Sequence, residues 1–380
     1  MYLKVESLKL LLNPWYESLR EPKHAQLKTL DRLLKTYRQT QYGLKYNAGK
    51  VSTMEEFQKS FPIVGIKDLE PYIKEVMQGN FNVLLAEPPI EWAMTRGTTG
   101  KSKIIPITRT DLEQRTVCGS RGLLNYVYRN KRYDILAGYD LNLNFPSVVG
   151  SIRLGSKEIT YGYSSGIYAK FSAARAKLKL IPEQKDIDAL GGGITSKDWQ
   201  QRFELAYRQA KDKNVTMIVG VTQTMLSFGS YLKRHLRVYP KNIWNIKLLA
   251  CTSIAGIHTK YRLALKGLYG DVPIIEMYGA TEGMYAQQLD DKPFVVPNYD
   301  TYLFEVDTRH GVKLLCDMKS GEYGSIIISS CLFPRYRIGD LIKCMGKNYY
   351  TVIGRDKPLT VLQHLLGRLL DFDFSHRLQP

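Results

Sequence analysis

The amino-acid sequence predicts an α/β fold, with a large body of helix-covered, mostly parallel sheets and a smaller β-rich part. The chain of 380 residues is 44% hydrophobic, which is enough to bury a large core. Between residues 215 and 277, apolar runs alternate with longer amphipathic segments, a pattern typical of parallel strands joined by helices. After residue 301, short apolar runs separated by turn residues replace this alternation and favour tightly connected strands.

The first fifty residues are predicted to be helical, because leucines recur there at the spacing of one helix face. We interpret these apolar stripes as core-facing. Residues 103–108 form the next strand pattern. Thr110 followed by Glu113 predicts a capping box that opens a helix.

The central alternation and the β-rich part supply the remaining elements. Strands are predicted at residues 215–219, 246–250 and 272–277, and helices at residues 222–237 and 258–268. Shorter strands are predicted at residues 302–306, 313–316, 325–329 and 349–352. From these changes we divide the chain into an α/β body of residues 1–300, a β-rich subdomain of residues 301–355 and a short helical tail of residues 356–380.

Charge and cysteine content restrict the class of protein. Lys and Arg number 54 against 36 Asp and Glu, a net charge of +18 that attracts nucleotides, carboxylates, nucleic acid or acidic proteins, although a solvated surface explains much of it. Five cysteines without a Cys-x-x-Cys pair argue against a zinc ribbon and a disulfide framework. Glu6 and Glu17 interrupt the N-terminal region, and the uncharged residues 214–232 are too polar for a membrane span. We therefore predict a cytoplasmic protein.

Residues 95–103 read Thr-Arg-Gly-Thr-Thr-Gly-Lys-Ser-Lys, which invites comparison with a P-loop. The P-loop pattern requires glycine where Thr95 stands, and it must open a helix, whereas a strand pattern follows here. A turn rich in Gly and Thr remains, and its N–H groups and hydroxyls could surround phosphate oxygens. Arg96, Lys101 and Lys103 would add positive charge. An ordinary polar hairpin turn explains the segment equally well.

A second motif, Tyr-Gly-Ala-Thr-Glu-Gly at residues 278–283, directly follows a predicted strand. Ligands in open α/β sheets bind beyond the carboxyl ends of strands. Tyr278 could stack on a base, Thr281 could bind phosphate, and the Glu282 carboxylate suits Mg²⁺. The alternative is a strand-to-helix turn in which Glu282 is an N-terminal helix charge.

A third motif, Tyr-Arg-Ile-Gly-Asp at residues 336–340, precedes a Gly-Arg-Asp sequence that begins fourteen residues beyond Asp340. A fixed carboxylate such as Asp340 could accept both hydroxyls of a ribose diol. Taken alone, this motif is also a common surface turn.

Residues 162–166 match Gly-x-Ser-x-Gly between a strand pattern and a helical one, the context of a hydrolase nucleophile elbow around Ser164. A triad would need His235, His258 or His310, and a Gly/Ser turn in a substrate-facing loop is the alternative. The tyrosines are spread along the chain rather than striped, which disfavours a nucleic-acid surface.

In this order the motifs resemble the adenylate-forming superfamily of acyl-CoA synthetases, adenylation domains and luciferases. The likeness is closest to the auxin-responsive acyl-acid amido synthetases, and it includes residues 163–168, 219–222 and 335–340. It covers about residues 50–357. It implies the N-terminal body of these enzymes and ATP- and Mg²⁺-dependent conversion of a small carboxylic acid to an acyl-adenylate. Pyrophosphate would leave, and an amine, coenzyme A or a carrier-protein thiol would accept the acyl group.

The same resemblance implies roles for individual residues. The phosphate loop would contain Thr98, Thr99 and Lys103, with Lys101 and Arg96 as basic groups beside them. The nucleotide would be bound by Tyr278 at adenine, Gly279, Ala280, Thr281 at the α-phosphate, Asp340 at the ribose and Arg355 near the ribose. Glu282 would bind Mg²⁺. The loop that contains Ser253 and Gly256 would line the acyl pocket and the adenine slot.

The superfamily normally continues after the Gly-Arg pair with a mobile domain that carries a lysine, whereas only 25 residues follow Arg355 here. We expect residues 361–370 to form one amphipathic helix in place of that domain. Lys101, Arg96 or a separate partner subunit would then replace the lysine. Two other functions stay open: a catalytically reduced protein that binds a nucleotide or a carrier protein, and a serine hydrolase using Ser164.

Overall fold

A computed structural model describes residues 5–95, 102–154, 157–176, 178–358 and 360, and in these residues the chain forms a mixed α/β fold. The predicted tail helix at residues 361–370 lies outside the described residues. The helices are α1 (Val5–Arg20), α2 (Pro22–Tyr37), α3 (Gln41–Lys45), α4 (Met54–Ser60), α5 (Ile66–Met77), α6 (Arg109–Asn130), α7 (Ser164–Ala176), α8 (Gln184–Asp188), α9 (Ser196–Ala210), α10 (Thr222–Tyr231), α11 (Pro240–Ile243) and α12 (Arg262–Tyr269). The strands are β1 (Glu91–Met94), β2 (Ile104–Ile107), β3 (Tyr139–Leu141), β4 (Gly150–Leu154), β5 (Lys157–Tyr163), β6 (Lys179–Ile181), β7 (Val215–Val221), β8 (Leu248–Thr252), β9 (Ile274–Ala280), β10 (Gly283–Gln288), β11 (Val295–Pro297), β12 (Leu303–Thr308), β13 (Gly311–Leu314), β14 (Tyr323–Ser329), β15 (Tyr336–Gly346) and β16 (Tyr349–Arg355).

One half of the larger sheet is parallel. Strands β6, β3, β7, β8 and β9 lie side by side in this order and run in the same direction. Helices α9, α10 and α12 bury apolar side chains against this half. The predicted α/β class and the strand–helix succession are confirmed, with β8 and β9 beginning two residues later than predicted, at Leu248 and Ile274. The helix predicted from residue 258 begins only at Arg262, because turns around Gly256 precede it.

The other half of the larger sheet is antiparallel, in the order β9, β10, β11, β16, β15, β14, β12 and β13. Val295 of β11 pairs with Tyr350 of β16, which joins the predicted β-rich part to the parallel half within one sheet. Strand β15 was not predicted. The domain boundary at residue 300 stays a prediction.

The smaller sheet has the order β2, β1, β5 and β4. Strands β1 and β2 form a hairpin, in which the Thr95 N–H donates to the Lys103 carbonyl oxygen at 2.9 Å. The Lys103 N–H donates in turn to Thr95 Oγ1 at 2.9 Å. The segment predicted to be a turn therefore lies between β1 and β2, and its residues 96–101 lie outside the described residues. Strand β5 pairs in parallel with β1 and leads directly into α7.

Helix α6 begins at a different cap from the predicted one. Thr108 Oγ1 accepts the Asp111 N–H at 3.2 Å, so Thr108 is the N-cap. Thr110 instead lies inside the first turn and donates its N–H to Glu87 Oε1 at 2.8 Å. The prediction was wrong because the chain turns from β2 into α6 without an intervening loop.

The N-terminal helices pack onto the antiparallel half. The predicted apolar stripes face the core at Leu8, Leu12, Trp15, Leu30, Leu33 and Leu34, whereas the prediction was wrong at Leu27, which is exposed. Trp15 of α1 is fully buried and donates its Nε1–H to the Pro297 carbonyl oxygen at 3.0 Å. Gln26 of α2 donates to the carbonyl oxygens of Tyr299 and Tyr302 at 3.0 and 2.8 Å. In the part of the chain that the structure describes, no helix is both long enough and apolar enough to cross a bilayer.

Candidate functional site

A cleft of about 520 Å³ lies beyond the carboxyl ends of β1, β5, β7, β8 and β9. Strands β15 and β16 supply its opposite wall, which includes Asp340 and Arg355. Parallel sheets bind ligands at this edge, and the volume falls within the range of about 300–1,000 Å³ typical of small-molecule sites. The topology thus brings together segments that the sequence separates widely.

Tyr278, Asp340 and Arg355 form a hydrogen-bonded cluster in the cleft. The Tyr278 hydroxyl donates to Asp340 Oδ2 at 2.8 Å, and Arg355 Nη1 donates to Asp340 Oδ1 at 2.7 Å. Asp340 and Arg355 are direct partners in the β15–β16 ladder. Gly339 has φ +85°, and a Cβ there would lie only 3.2 Å from Arg355 Nη2. Burial raises the pKa of Tyr278 well above 10, so its hydroxyl remains a donor.

Thr281 and Glu282 form a tight turn between β9 and β10 at the cleft. The interpretation of this segment as the start of a helix is wrong, because Gly283 begins β10 and pairs with Ala280. Glu282 Oε1 accepts the Tyr336 O–H at 2.7 Å. None of the described residues donates to Oε2 of Glu282, so this oxygen is available to a ligand.

Arg115 of α6 is a buried cation that the sequence analysis missed. It donates to the Thr281 carbonyl oxygen and to the Tyr168 hydroxyl. Its Nε lies 2.6 Å from Asp111 Oδ2. Burial raises the pKa of Asp111 to about 6, although Arg115 acts in the opposite direction. The only signal in the sequence was an Asp and an Arg four residues apart, a spacing that is usual for exposed helix pairs.

Glu276 of β9 also lines the cleft and was not predicted. Burial raises the pKa of this carboxyl to about 7. His258 Nε2 lies 3.9 Å from Glu276 Oε2 and 2.9 Å from Gln288 Oε1. Burial lowers the pKa of His258 below its usual range, which favours the neutral imidazole. A single glutamate inside an apolar strand gives no sequence signal of this kind.

The other predicted nucleotide contacts lie on β9 and on the loop after β8. Gly279 and Ala280 line the cleft, as does Ser253, which has φ +77°. Gly256 is not among the described residues that line the cleft. It has φ +81° and its carbonyl oxygen accepts the Tyr261 N–H at 3.2 Å, so it shapes the turn after the lining segment.

The predicted phosphate loop is only partly covered by the structure. Arg96, Thr98, Thr99 and Lys101 lie outside the described residues. Thr95 and Lys103, which flank them, both line the cleft, and Lys103 is exposed.

Ser164 begins α7 immediately after β5 and lines the cleft, as a nucleophile elbow would require. The described residues that line the cleft include no histidine. The two glycines of the motif have a packing explanation: a Cβ at Gly162 would lie 2.0 Å from the Ser147 carbonyl oxygen, and one at Gly166 would lie 2.1 Å from that of Phe145. Close backbone approach therefore accounts for the pattern without a hydrolase.

The side chains in the cleft fit a nucleotide with its divalent cation. Within the described ranges, no group of three or more His, Cys, Asp or Glu side chains could enclose a metal ion. Mg²⁺ that is shared with phosphates needs only one or two carboxylates, and Glu282 Oε2 offers one. Asp340 accepts one hydrogen bond on each oxygen and keeps acceptor capacity for a diol.

Comparison with known sequences gives a family match. The family model described as GH3 family N-terminal domain matches residues 12–206. A jasmonoyl–L-amino acid synthetase of Oryza sativa subsp. japonica is 28% identical over 138 residues, which cover 36% of this chain and 23% of that protein. An indole-3-acetic acid-amido synthetase of Arabidopsis thaliana is 34% identical over 95 residues, which cover 24% of this chain and 16% of that protein. The chain thus spans about a fifth of the length of these curated relatives.

Comparison with solved structures supports the same fold. An acyl acid amido synthetase in complex with 2,4-DB superposes with a TM-score of 0.76 at 18% identity, covering 94% of this chain and 72% of that one. A 2-hydroxyisobutyryl-CoA ligase in complex with 2-HIB-AMP superposes with a TM-score of 0.63 at 16% identity, covering 88% of this chain and 68% of that one. The predicted body of an adenylate-forming enzyme is therefore confirmed at the level of the fold.

Proposed function

The chain belongs to the GH3 family, and we propose that it is an adenylate-forming ligase that uses ATP and Mg²⁺ to activate a carboxylic acid. The acid becomes an acyl-adenylate and then passes to an amine, coenzyme A or carrier-protein thiol. One observation carries the proposal: Tyr278, Glu282 and Asp340 line a single cleft. A cytoplasmic location accords with the five free cysteines.

The nucleoside half of ATP is assigned to β9, β15 and β16. The Tyr278 ring is the stacking surface for adenine, and the Asp340 carboxylate accepts the ribose hydroxyls. Arg355 Nη1 donates to that carboxylate at 2.7 Å and orients it beside the sugar. Ser253 and the residues around it close the adenine slot from the side of β8.

The phosphates are assigned to the turn after β9 and to the loop between β1 and β2. Thr281 contacts the α-phosphate, and Glu282 holds Mg²⁺, which supplies positive charge to the phosphate oxygens. Lys103 is exposed at the cleft and, with Arg96 and Lys101, adds positive charge. A lysine from a separate subunit is the alternative source of that charge. Fixed donors and cations lower the barrier because negative charge spreads over the phosphate oxygens in the transition state.

The reaction proceeds in two displacements. A carboxylate oxygen attacks the α-phosphorus, the bond to the bridging oxygen breaks, and pyrophosphate leaves. The acceptor nitrogen or sulfur then attacks the acyl carbon, loses a proton, and AMP leaves. The apolar body of the acid packs against Met94, Phe145 and Val221, which line the cleft and pack together.

The test is incubation of the full chain with ATP, Mg²⁺ and a panel of carboxylic acids. Acid-dependent pyrophosphate release and an acyl-AMP of the expected mass are the predicted results. Glu282→Ala should abolish both. Absence of pyrophosphate with every acid, together with no ATP binding in calorimetry, would refute the proposal. ATP binding without turnover that is unchanged in Glu282→Ala would favour the binding-protein alternative.

A further inference from the structure

The Glu282 carboxylate has one hydrogen-bond donor among the described residues, the hydroxyl of Tyr336 at 2.7 Å. Both side chains are buried. Glu282 lies in a turn between β9 and β10, so strand pairing fixes its backbone but leaves its side-chain torsions free. The hydroxyl therefore favours one rotamer of the carboxylate and leaves Oε2 without a donor among the described residues.

Tyr336 is itself held by main-chain bonds on both sides. The Val64 N–H donates to the Arg335 carbonyl oxygen at 3.1 Å, and the Arg337 N–H donates to the Val64 carbonyl oxygen at 2.8 Å. The Tyr336 ring packs on Phe333 with the centroids 5.4 Å apart.

Arg335 anchors this segment from outside the cleft. Its Nε and Nη2 donate to the two oxygens of Glu305 at 3.0 and 2.8 Å. Its Nη1 donates to the carbonyl oxygens of Gln58 and Phe61, both at 2.8 Å. Arg335 has φ +46°, a conformation that non-glycine residues rarely adopt, and the buried bidentate pair holds it there.

We propose that Tyr336 is a positioning residue for the divalent-cation ligand Glu282, and that the buried Arg335–Glu305 pair holds Tyr336 in register. The inference rests on the proposed function, because it concerns the metal that accompanies ATP. Without the hydroxyl, the carboxylate rotates away from the phosphates and binds the cation more weakly. The adenine and ribose contacts are assigned to Tyr278, Ser253 and Asp340, so we expect nucleotide binding without the metal to be unaffected.

The experiment measures Mn²⁺ binding to the full chain by electron paramagnetic resonance of free Mn²⁺, with saturating α,β-methylene-ATP. Tyr336→Phe should weaken Mn²⁺ binding by about tenfold, the value expected for loss of a hydrogen bond to a charged group. Metal-free binding of the same nucleotide, followed by calorimetry, should change by less than about twofold. Tyr299→Phe is the matched control, because the Tyr299 hydroxyl is buried and without a partner in the described chain.

The outcomes separate the inference from the proposed function. If the wild-type chain binds the Mn²⁺–nucleotide complex and Tyr336→Phe binds it equally well, the positioning role is overturned and the proposed function stands. If the wild-type chain binds no such complex, the proposed function fails and the inference fails with it. Arg335→Lys removes the bidentate geometry but keeps the charge, and it should weaken Mn²⁺ binding in the same direction. Unchanged Mn²⁺ affinity in a folded Arg335→Lys variant would overturn the role of the Arg335–Glu305 pair alone.

Discussion

The Asp340→Asn substitution tests the assignment of the ribose site, because it removes the charge and keeps the shape. The Tyr278 hydroxyl can still donate to the amide oxygen, so that contact at 2.8 Å survives. Arg355 loses its ionic partner, but its side chain is 57% exposed and water solvates the guanidinium. The substitution therefore acts on the ligand and leaves the fold nearly unchanged.

The expected size follows from the two hydroxyls of a ribose diol. A hydrogen bond to a charged group contributes roughly 1.5–3 kcal/mol, and one between neutral groups roughly 0.5–1.5 kcal/mol. A loss of about 1 kcal/mol for each hydroxyl gives about 2 kcal/mol, which is about 30-fold in the Kd for ATP.

Titration calorimetry with ATP and with 2′,3′-dideoxy-ATP isolates this contact. The wild-type chain should bind ATP much more tightly than the dideoxy analogue, and in Asp340→Asn this preference should fall by about 30-fold, because the neutral amide keeps only part of each hydrogen bond. Asp307→Asn is the matched control, because Asp307 also pairs with an arginine, Arg337 at 2.6 Å, and is not among the described cleft residues. Equal weakening of both nucleotides in Asp340→Asn, or no weakening of ATP, would refute the ribose assignment.

Three further predictions concern stability, each measured by urea denaturation. Between pH 5 and 7.5, the free energy of unfolding of the wild type should fall by up to about 3 kcal/mol relative to that of Glu276→Gln. Burial raises the pKa of Glu276 to about 7 in the folded state, so this carboxyl stabilises the folded protein only while it is protonated. A pH-independent difference between the two proteins would contradict this. Thr108→Ala should lower the free energy of unfolding by about 1 kcal/mol, and Thr110→Ala should change it by no more than about 0.5 kcal/mol, because only Thr108 caps α6. Equal losses in the two variants would show that the cap is wrongly assigned. Gly162→Ala should lower the free energy of unfolding by about 1–3 kcal/mol or more, because its Cβ would lie 2.0 Å from the Ser147 carbonyl oxygen. Gly49→Ala is the control, because a Cβ at Gly49 has no neighbouring atom within 4 Å. Similar losses for the two variants would refute the packing explanation.

The parallel half of the sheet was predictable because its strands are continuous apolar runs. Strand β7 and the start of α10 at Thr222 lie where the sequence places them. Strand β15 was missed, because Arg337, Gly339 and Asp340 are typical of an exposed turn. In the structure, Arg337 pairs with Asp307, and Asp340 with Arg355, so partners distant in the sequence make these polar residues compatible with a strand.

The residues of the candidate site were predictable where they belong to a sequence motif. They were not predictable where their contacts or pKa values depend on burial in the folded protein. Tyr278, Asp340 and Arg355 belong to recognisable motifs, and the structure brings them into contact. Arg115 and Glu276 carry no such signal. Arg115 gains its place from the approach of the turn at Thr281, and the Glu276 pKa from desolvation, both consequences of tertiary packing.

Isotope transfer tests the central claim, attack of a carboxylate on the α-phosphorus of ATP, most directly. An acid that supports pyrophosphate release is labelled with ¹⁸O in its carboxylate and incubated with the full chain, Mg²⁺, ATP and hydroxylamine as the amine acceptor. Mass spectrometry should find one ¹⁸O in the AMP and none in the pyrophosphate. Unlabelled AMP, or label in inorganic phosphate, would contradict formation of an acyl-adenylate.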